Sequence, residues 1–293
     1  MHFIVFDLEW NTPLAKDRRA QLIKHALPEE ITQIGAVKLA CDGEILDVFE
    51  AHIRPQVYPK LNPRIRALTN QDWQWQKKEG EPFVAAYKRF IAWAGEEAVF
   101  CSWSDSDLYP LRHCLAFYHL LDQLPRSYVD LQRLFHLKMD PKENQRSLSY
   151  ACAYLDIEMN QDQHHALHDA HYAASVLQAM MYRLKTTHQW IAELRQEGLV
   201  IDPLLQRKRS ETIPFGHRLS ALDRTLLTVP LKCPACGEIL TTEDSWHRLD
   251  GPKHKYVLAG DCPKHGRVQG LIFHVVLGKD YVPNLKVRYT LIR

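Results

Sequence analysis

The segment Phe3-Ile4-Val5-Phe6-Asp7-Leu8-Glu9 sets an apolar run against two acids spaced two residues apart. On a β-strand alternate side chains share a face, so Asp7 and Glu9 point one way and Leu8 the other. Two carboxylates at the end of a core strand repel one another and resist desolvation. Such a strand either runs out into solvent or shares a cation between its acids. The rest of the chain decides which.

The pattern that follows is that of an α/β sheet. Residues 11–30 are too polar for core and predict a surface excursion near Asp7 and Glu9. Ile31 to Leu39 and residues 45–53 read as two further strands, joined by an Asp42-Gly43 hairpin turn. Leu68-Thr69-Asn70 reads as a loop turn. Phe83, Tyr87, Phe90 and Trp93 recur at helical spacing, and residues 98–103 form an apolar run short enough for a buried strand. Leu111, Cys114, Leu115 and Tyr118 mark a helix, Tyr128 to Leu131 a short strand, and Ser147 a cap for the helix holding Leu148 and Leu155. A last helix carries Ala166, Ala170, Ala173, Leu177, Met180 and Leu184. Hairpin strands followed by strand–helix alternation indicate a sheet covered by helices.

Two more acids draw attention. Pro110 fits only the first turn of a helix, which puts the helix start near Ser106 or Asp107. Asp107 is then an N-cap or a functional acid placed at a helix N-terminus. In His164-His165-Ala166-Leu167-His168-Asp169-Ala170-His171, Asp169 lies beside an alanine stripe and faces the sheet, where a carboxylate wants a cationic partner. His164 precedes the helix and can swing over its mouth. A zinc pair of His164 and His168 is the alternative, weakened by the lack of a third ligand.

Together these pieces resemble the DEDDh 3′–5′ exonucleases of the RNase H-like superfamily. The resemblance rests on Asp7-Leu8-Glu9, on Asp107 after Ser104-Asp105-Ser106, and on His164 with Asp169. Ile31-Thr32-Gln33-Ile34-Gly35-Ala36-Val37, Ala67 to Asp72 and Ser147-Leu148-Ser149-Tyr150 add to it, over roughly residues 1–183. The branch most similar includes histone-mRNA and small-RNA 3′ exonucleases and bacterial sporulation-inhibitor relatives. It implies an RNase H-like mixed five-stranded sheet flanked by helices. It further implies two Mg²⁺ or Mn²⁺ ions held by Asp7, Glu9, Asp107 and Asp169, with His164 as general base. The substrate would be single-stranded nucleic acid with a free 3′ end, and the products nucleoside 5′-monophosphates. Leu8, Trp10, Asn11, Thr12 and Asn70 occupy positions where relatives meet the terminal nucleotide. Trp10 stands where many relatives carry Thr, and Asn70 where Gly is usual.

A second motif lies near the C-terminus. Cys233-Pro234-Ala235-Cys236-Gly237 and Cys262-Pro263-Lys264-His265-Gly266 are two copies of one knuckle, 25 residues apart. Each places two ligands around a tight turn, as tetrahedral zinc requires, and four protein ligands make the ion structural. A redox Cys-x-x-Cys is the competing reading of the first pair alone. A zinc ribbon is expected, its strands at 256–259, 270–276 and 285–292.

Charge agrees with this division. Residues 1–185 carry 21 Lys and Arg against 24 Asp and Glu, whereas residues 228–293 carry 10 against 6. The expected organisation is an exonuclease domain over 1–185, a connector over 186–227 and a zinc-ribbon domain over 228–293. Cys41, Cys101, Cys114 and Cys152 are scattered among apolar neighbours and suit a reducing compartment. With no apolar run long enough to span a bilayer, the expected location is the cytoplasm. Two other readings remain: a nucleic-acid- or protein-binding regulator built on a nuclease fold, and a phosphodiesterase confined to very short oligonucleotides.

Overall fold

The computed structural model describes the chain except residues 25, 70–71, 142–144, 161–163, 204–207, 215–228, 235–237, 243–244, 250–254, 265, 278–282 and 292–293. Two compact units result, Met1–Pro203 and Leu204–Arg293. The first runs β1 (His2–Asn11), α1 (Arg18–Ile23), β2 (Glu30–Ala40), β3 (Ile45–His52), α2 (Pro63–Leu68), α3 (Trp73–Glu79) and α4 (Phe83–Ala94). It continues with β4 (Ala98–Ser102), α5 (Leu108–Phe117), β5 (Tyr128–Asp130), α6 (Leu131–Lys138), α7 (Leu148–Tyr154), α8 (Ala166–Leu184) and α9 (Trp190–Gln196).

The sheet order is β3-β2-β1-β4-β5, with β1 at its centre. β1, β2 and β3 pair antiparallel, while β4 and β5 run parallel to β1. This is the RNase H-like mixed sheet flanked by helices. The alternation within β1 distributes its side chains between two cores. Phe3 and Val5 join Ala170, Ala173, Leu177 and Met180 of α8 in one buried cluster. On the other face Phe6 meets Phe90 of α4 and Phe100 of β4, with ring centroids 6.3 and 6.2 Å apart. Asp7 and Glu9 extend the row that begins at Phe3 and Val5, so they emerge on the α8 side.

Several expectations change in detail. The excursion after β1 is not wholly superficial, because Leu27 is fully buried and Glu30 is nearly so. Glu30 accepts hydrogen bonds from the amides of Gln56, Val57 and Tyr58 at 2.7, 2.8 and 2.6 Å. A turn with three orphan N–H groups has taken in an acid that would otherwise be solvated. The β2–β3 connection is a four-residue loop, Cys41-Asp42-Gly43-Glu44, with Gly43 at φ +93°. Leu131 belongs to α6 rather than a strand, since Asp130 caps that helix by accepting from Arg133 N–H. Leu184 ends α8 in partial exposure and lies outside the core. Ser147 caps α7 as expected, accepting from Tyr150 N–H.

α9 lies within residues expected to form a connector. Its Trp190, Ile191 and Leu194 are buried in the main core, and Trp190 meets Phe3 edge-on at 6.1 Å. The second unit holds β6 (Lys208–Pro214), β7 (His247–Leu249), β8 (Lys255–Cys262), β9 (Gly266–Leu277) and β10 (Pro283–Leu291). They form an antiparallel sheet in the order β6-β10-β9-β8-β7. Among the described residues, no helix is long and apolar enough to cross a membrane.

Candidate active site

Asp7 and Glu9 reach the C-terminal end of β1, where the pairing with β2 shifts register between Glu9 and Trp10. Such irregularities re-aim side chains at the rim of a sheet. Asp107 arrives from a 3₁₀ turn, Asp105–Asp107, that follows β4. Although it precedes α5, Asp107 makes no capping hydrogen bond. It turns toward β1 and accepts from the amide of Leu8 at 3.2 Å. The N-cap alternative therefore fails for this residue. Ser104 caps the 3₁₀ turn in its place.

The start of α8 completes the group. Gly35 lies opposite Asp7 on β2, and a Cβ there would stand 2.1 Å from the amide nitrogen of Leu167. Only glycine lets the helix backbone settle on the sheet at that point. Gln33, opposite Glu9, accepts from the amide of Ala166 at 3.2 Å and ties down the first turn. His164 adopts φ +65°, and its amide donates to Asp169 Oδ2 at 2.9 Å. This places ligand atoms of Glu9, His164 and Asp169 within 4.8 Å of one another.

One cleft of about 260 Å³ is lined by Asp7, Leu8, Glu9, Trp10, Asp107, His164 and Asp169. Its electrostatics follow from crowding. Burial, then the charges of Asp107, Asp169 and Glu9, pushes the Asp7 carboxyl well above the usual range. Burial, with Asp169 and Asp107 nearby, raises Glu9 to about 8. Asp107 rises to about 7 through burial, resisted by hydrogen bonds from Leu8, Ser102 and Ser106. Asp169 is raised by burial against the pull of His164 and His168. Four acids that resist ionisation together are a donor set suited to hard divalent cations.

Asn11 and Thr12 are corrections to the substrate-contact set. Asn11 is fully buried, donating to the carbonyls of Tyr58 and Lys60 and accepting from Asn62 N–H, at 3.0–3.1 Å. Thr12 accepts from the Asn62 side chain at 2.9 Å. Both staple the end of β1 to the 58–62 loop, and neither lines the cleft. Asn70 lies outside the described residues. The cleft also includes Ile65, Leu68, Thr69 and Ser106, none of them among the expected site residues. For Leu68 and Thr69 the sequence signal is the Ala67-Leu68-Thr69 segment, legible as a motif but silent about which side chains face in; Ile65 has none, and Ser106 is visible only as a neighbour of Asp107.

Of the four expected zinc ligands, Cys236 and His265 lie outside the described residues. Cys233 and Cys262 are both buried and share one apolar cluster. Each takes part in backbone pairing. Cys233 N–H bonds to Glu238 O at 2.9 Å, and Cys262 pairs with Gly266, whose φ is +82°.

The sequence profile of the Exonuclease family matches residues 4–177. Among solved structures, the nuclease domain of 3′hExo, a DEDDh family member bound to rAMP, aligns with a TM-score of 0.52 at 16% identity. That alignment covers 68% of this chain and 94% of that one. A structure of exonuclease I aligns at 0.53 and 13% identity, over 93% of this chain and 55% of the other. Cell-death related nuclease 4 aligns at 0.50 and 22% identity, over 62% and 64%. These likenesses establish the fold. No curated protein sequence matches the chain.

Proposed function

This chain belongs to the Exonuclease family, and from that premise we propose that it is a metal-dependent 3′–5′ exonuclease acting on single-stranded nucleic acid. One observation carries the reading. Acids at positions 7, 9, 107 and 169, from three separate segments, converge with His164 on a single cleft. A binding platform has no use for four acids pressed together against their own repulsion.

Asp7, Glu9, Asp107 and Asp169 would hold Mg²⁺ or Mn²⁺. Two such ions, when bound, activate water and stabilise the leaving 3′-oxygen of a phosphodiester. The chain's own groups do the rest. Asp107 is held in place by the Leu8 amide, and Asp169 by the amide of His164. His164 is exposed at the mouth, where its imidazole can accept the proton of the attacking water. Trp10, Ile65 and Leu68 give the cleft an apolar wall against which a terminal base can pack. The neighbours' ligands are consistent with this substrate class: rAMP in 3′hExo and single-stranded DNA in E. coli ExoI.

The second unit is proposed to be a zinc ribbon closed by Cys233, Cys236, Cys262 and His265. Two buried cysteines in one apolar cluster support it.

Digestion of end-labelled RNA and DNA, single- and double-stranded, tests the main proposal. A 5′-labelled single strand should shorten stepwise in Mg²⁺ or Mn²⁺, with mononucleotides as product, and Asp7→Ala should be inert. His164→Ala should lower kcat more than it raises KM. Internal cleavage, or full activity in Asp7→Ala, would overturn the assignment. Comparing 2-mers with 20-mers separates a general trimmer from an enzyme of short oligonucleotides.

A further inference from the structure

The catalytic row on β1 is repeated, in different chemistry, two strands away. Asp7 and Glu9 stand opposite Gly35 and Gln33 of β2, which stand opposite Glu50 and His52 of β3. Directly paired residues share a face of the sheet. Glu50 and His52 therefore lie on the same face as the catalytic acids, displaced by two strand spacings, roughly 10 Å.

The start of α8 lies over the strand between these rows. Consecutive residues fall on opposite sides of it. His164 groups with Glu9 and Asp169, whereas His165 groups with Glu50 and His52, the ligand atoms lying within 4.8 Å of one another in each group. The second group has suggestive dimensions. Nε2 of His52 is 3.3 Å from Glu50 Oε1, and Nε2 of His165 is 3.4 Å from the same oxygen. Around tetrahedral zinc, with bonds of roughly 2.0–2.1 Å, neighbouring ligand atoms stand about 3.3–3.4 Å apart. Two of the three edges already have that length.

The surroundings hold the group together without closing it. Gln33 donates to Glu50 Oε1 at 3.0 Å and lies 3.1 Å from His165 Nε2. Its own oxygen is committed to the Ala166 amide. The far nitrogen of His165, Nδ1, is buried without a hydrogen-bond partner. No hydrogen bond at Nδ1 fixes the ring, which stacks on His168 with centroids 4.2 Å apart and can slide on that face to close the third edge. All three side chains are about one-third exposed, which leaves a path for an ion.

We propose that Glu50, His52 and His165 form a second divalent-metal site, separate from the carboxylate centre. Two imidazoles and one carboxylate favour a transition ion such as Zn²⁺ over Mg²⁺ and leave a fourth position for water. The bound ion would tie β3 to the residue following His164 and so fix the start of α8. A cluster of hydrogen bonds around Gln33 that merely anchors the helix is the alternative, and it binds no metal.

The test is a Co²⁺ titration of the full chain in excess Mg²⁺, followed by visible absorption. The expected result is a ligand-field band without the thiolate charge-transfer band that a cysteine-held ion gives. Apparent affinity should fall about a hundredfold or more in His52→Ala and in Glu50→Gln, since even outer-shell changes cost ten- to a hundredfold. Cys262→Ser should keep the band, which separates this site from a zinc ribbon. Both β3 variants should retain Mg²⁺-dependent turnover measured without Co²⁺, which separates it from the nuclease reading. Absence of a thiolate-free band, or titration curves of both variants that superimpose on the wild type, would overturn the proposal.

Discussion

The amide of Leu8 donates to the carboxylate of Asp107 across 99 positions of sequence. That bond clamps β1 to the turn after β4 and turns Asp107 away from its ordinary duty at a helix start. It also offsets part of the cost of burying the acid, which is 5% exposed. The clamp leaves the four carboxylates close enough that ionisation of one opposes ionisation of the next.

A trade between activity and stability follows. Asp7, Glu9 and Asp107 have folded pKa values above the unfolded range near 4. Between those limits the metal-free folded state binds more protons than the unfolded state. Its stability from these groups is therefore full below about pH 4 and is lost as pH rises toward Glu9's value of about 8. Asp7→Asn should be inactive, yet melt higher than the wild type at pH 8 without added metal. Calorimetry between pH 5 and 8 checks it, and parallel melting curves for the two proteins would refute it. Added Mg²⁺ should flatten the wild-type slope only.

Gly35→Ala should be severe. Its Cβ would meet the backbone of Ala166 and Leu167 at 2.1–2.4 Å, which no side-chain rotation relieves. Moving α8 off the sheet carries His164 and Asp169 with it. The expected loss is about 1–3 kcal/mol or more in stability, with a fall in kcat that added Mn²⁺ does not restore. Wild-type stability in this variant, by denaturant titration, would contradict the packing described.

Asn11→Ala should act on folding and leave substrate contacts alone. Removing the buried amide orphans two carbonyls and one N–H, at a cost of roughly 1–3 kcal/mol. KM for a short single strand should stay within twofold. A large rise in KM with unchanged stability would restore Asn11 to the substrate surface.

Cys262→Ser should abolish zinc binding and unfold the second unit. The expected loss is on the order of 10–16 kcal/mol of apparent metal-binding free energy. Cleavage of short single strands should persist, because the first unit has its own sheet and core. Elemental analysis and near-ultraviolet dichroism decide the matter, and wild-type protein without zinc would end the ribbon reading.

Much of this was legible in the sequence for reasons that can be named. Period-two alternation placed Asp7 and Glu9 on one face, and helical spacing with Pro110 placed the start of α5. The errors arose where a polar side chain serves the backbone. Asn11 and Glu30 look solvated in the sequence, yet each satisfies amides or carbonyls of residues 56–62. No local pattern announces such partners, since they are 26–51 residues away. Residues 186–227 carry a helical signal, but the docking of α9 on the core is hidden for a related reason, because Trp190 and Leu194 gain meaning only when Phe3 lies beneath them. The pairing of His165 with β3 was equally hidden, being a consequence of strand register.

The order of the sheet has a consequence for synthesis. The first two acids leave the ribosome at positions 7 and 9, and the fourth only at 169. Until α8 docks over Gly35, the cleft lacks Asp169 and His164. A nascent or truncated chain that ends before α8 therefore carries Asp7, Glu9 and Asp107 without the two groups that complete the cleft. The cleft is completed by the docking of a single helix.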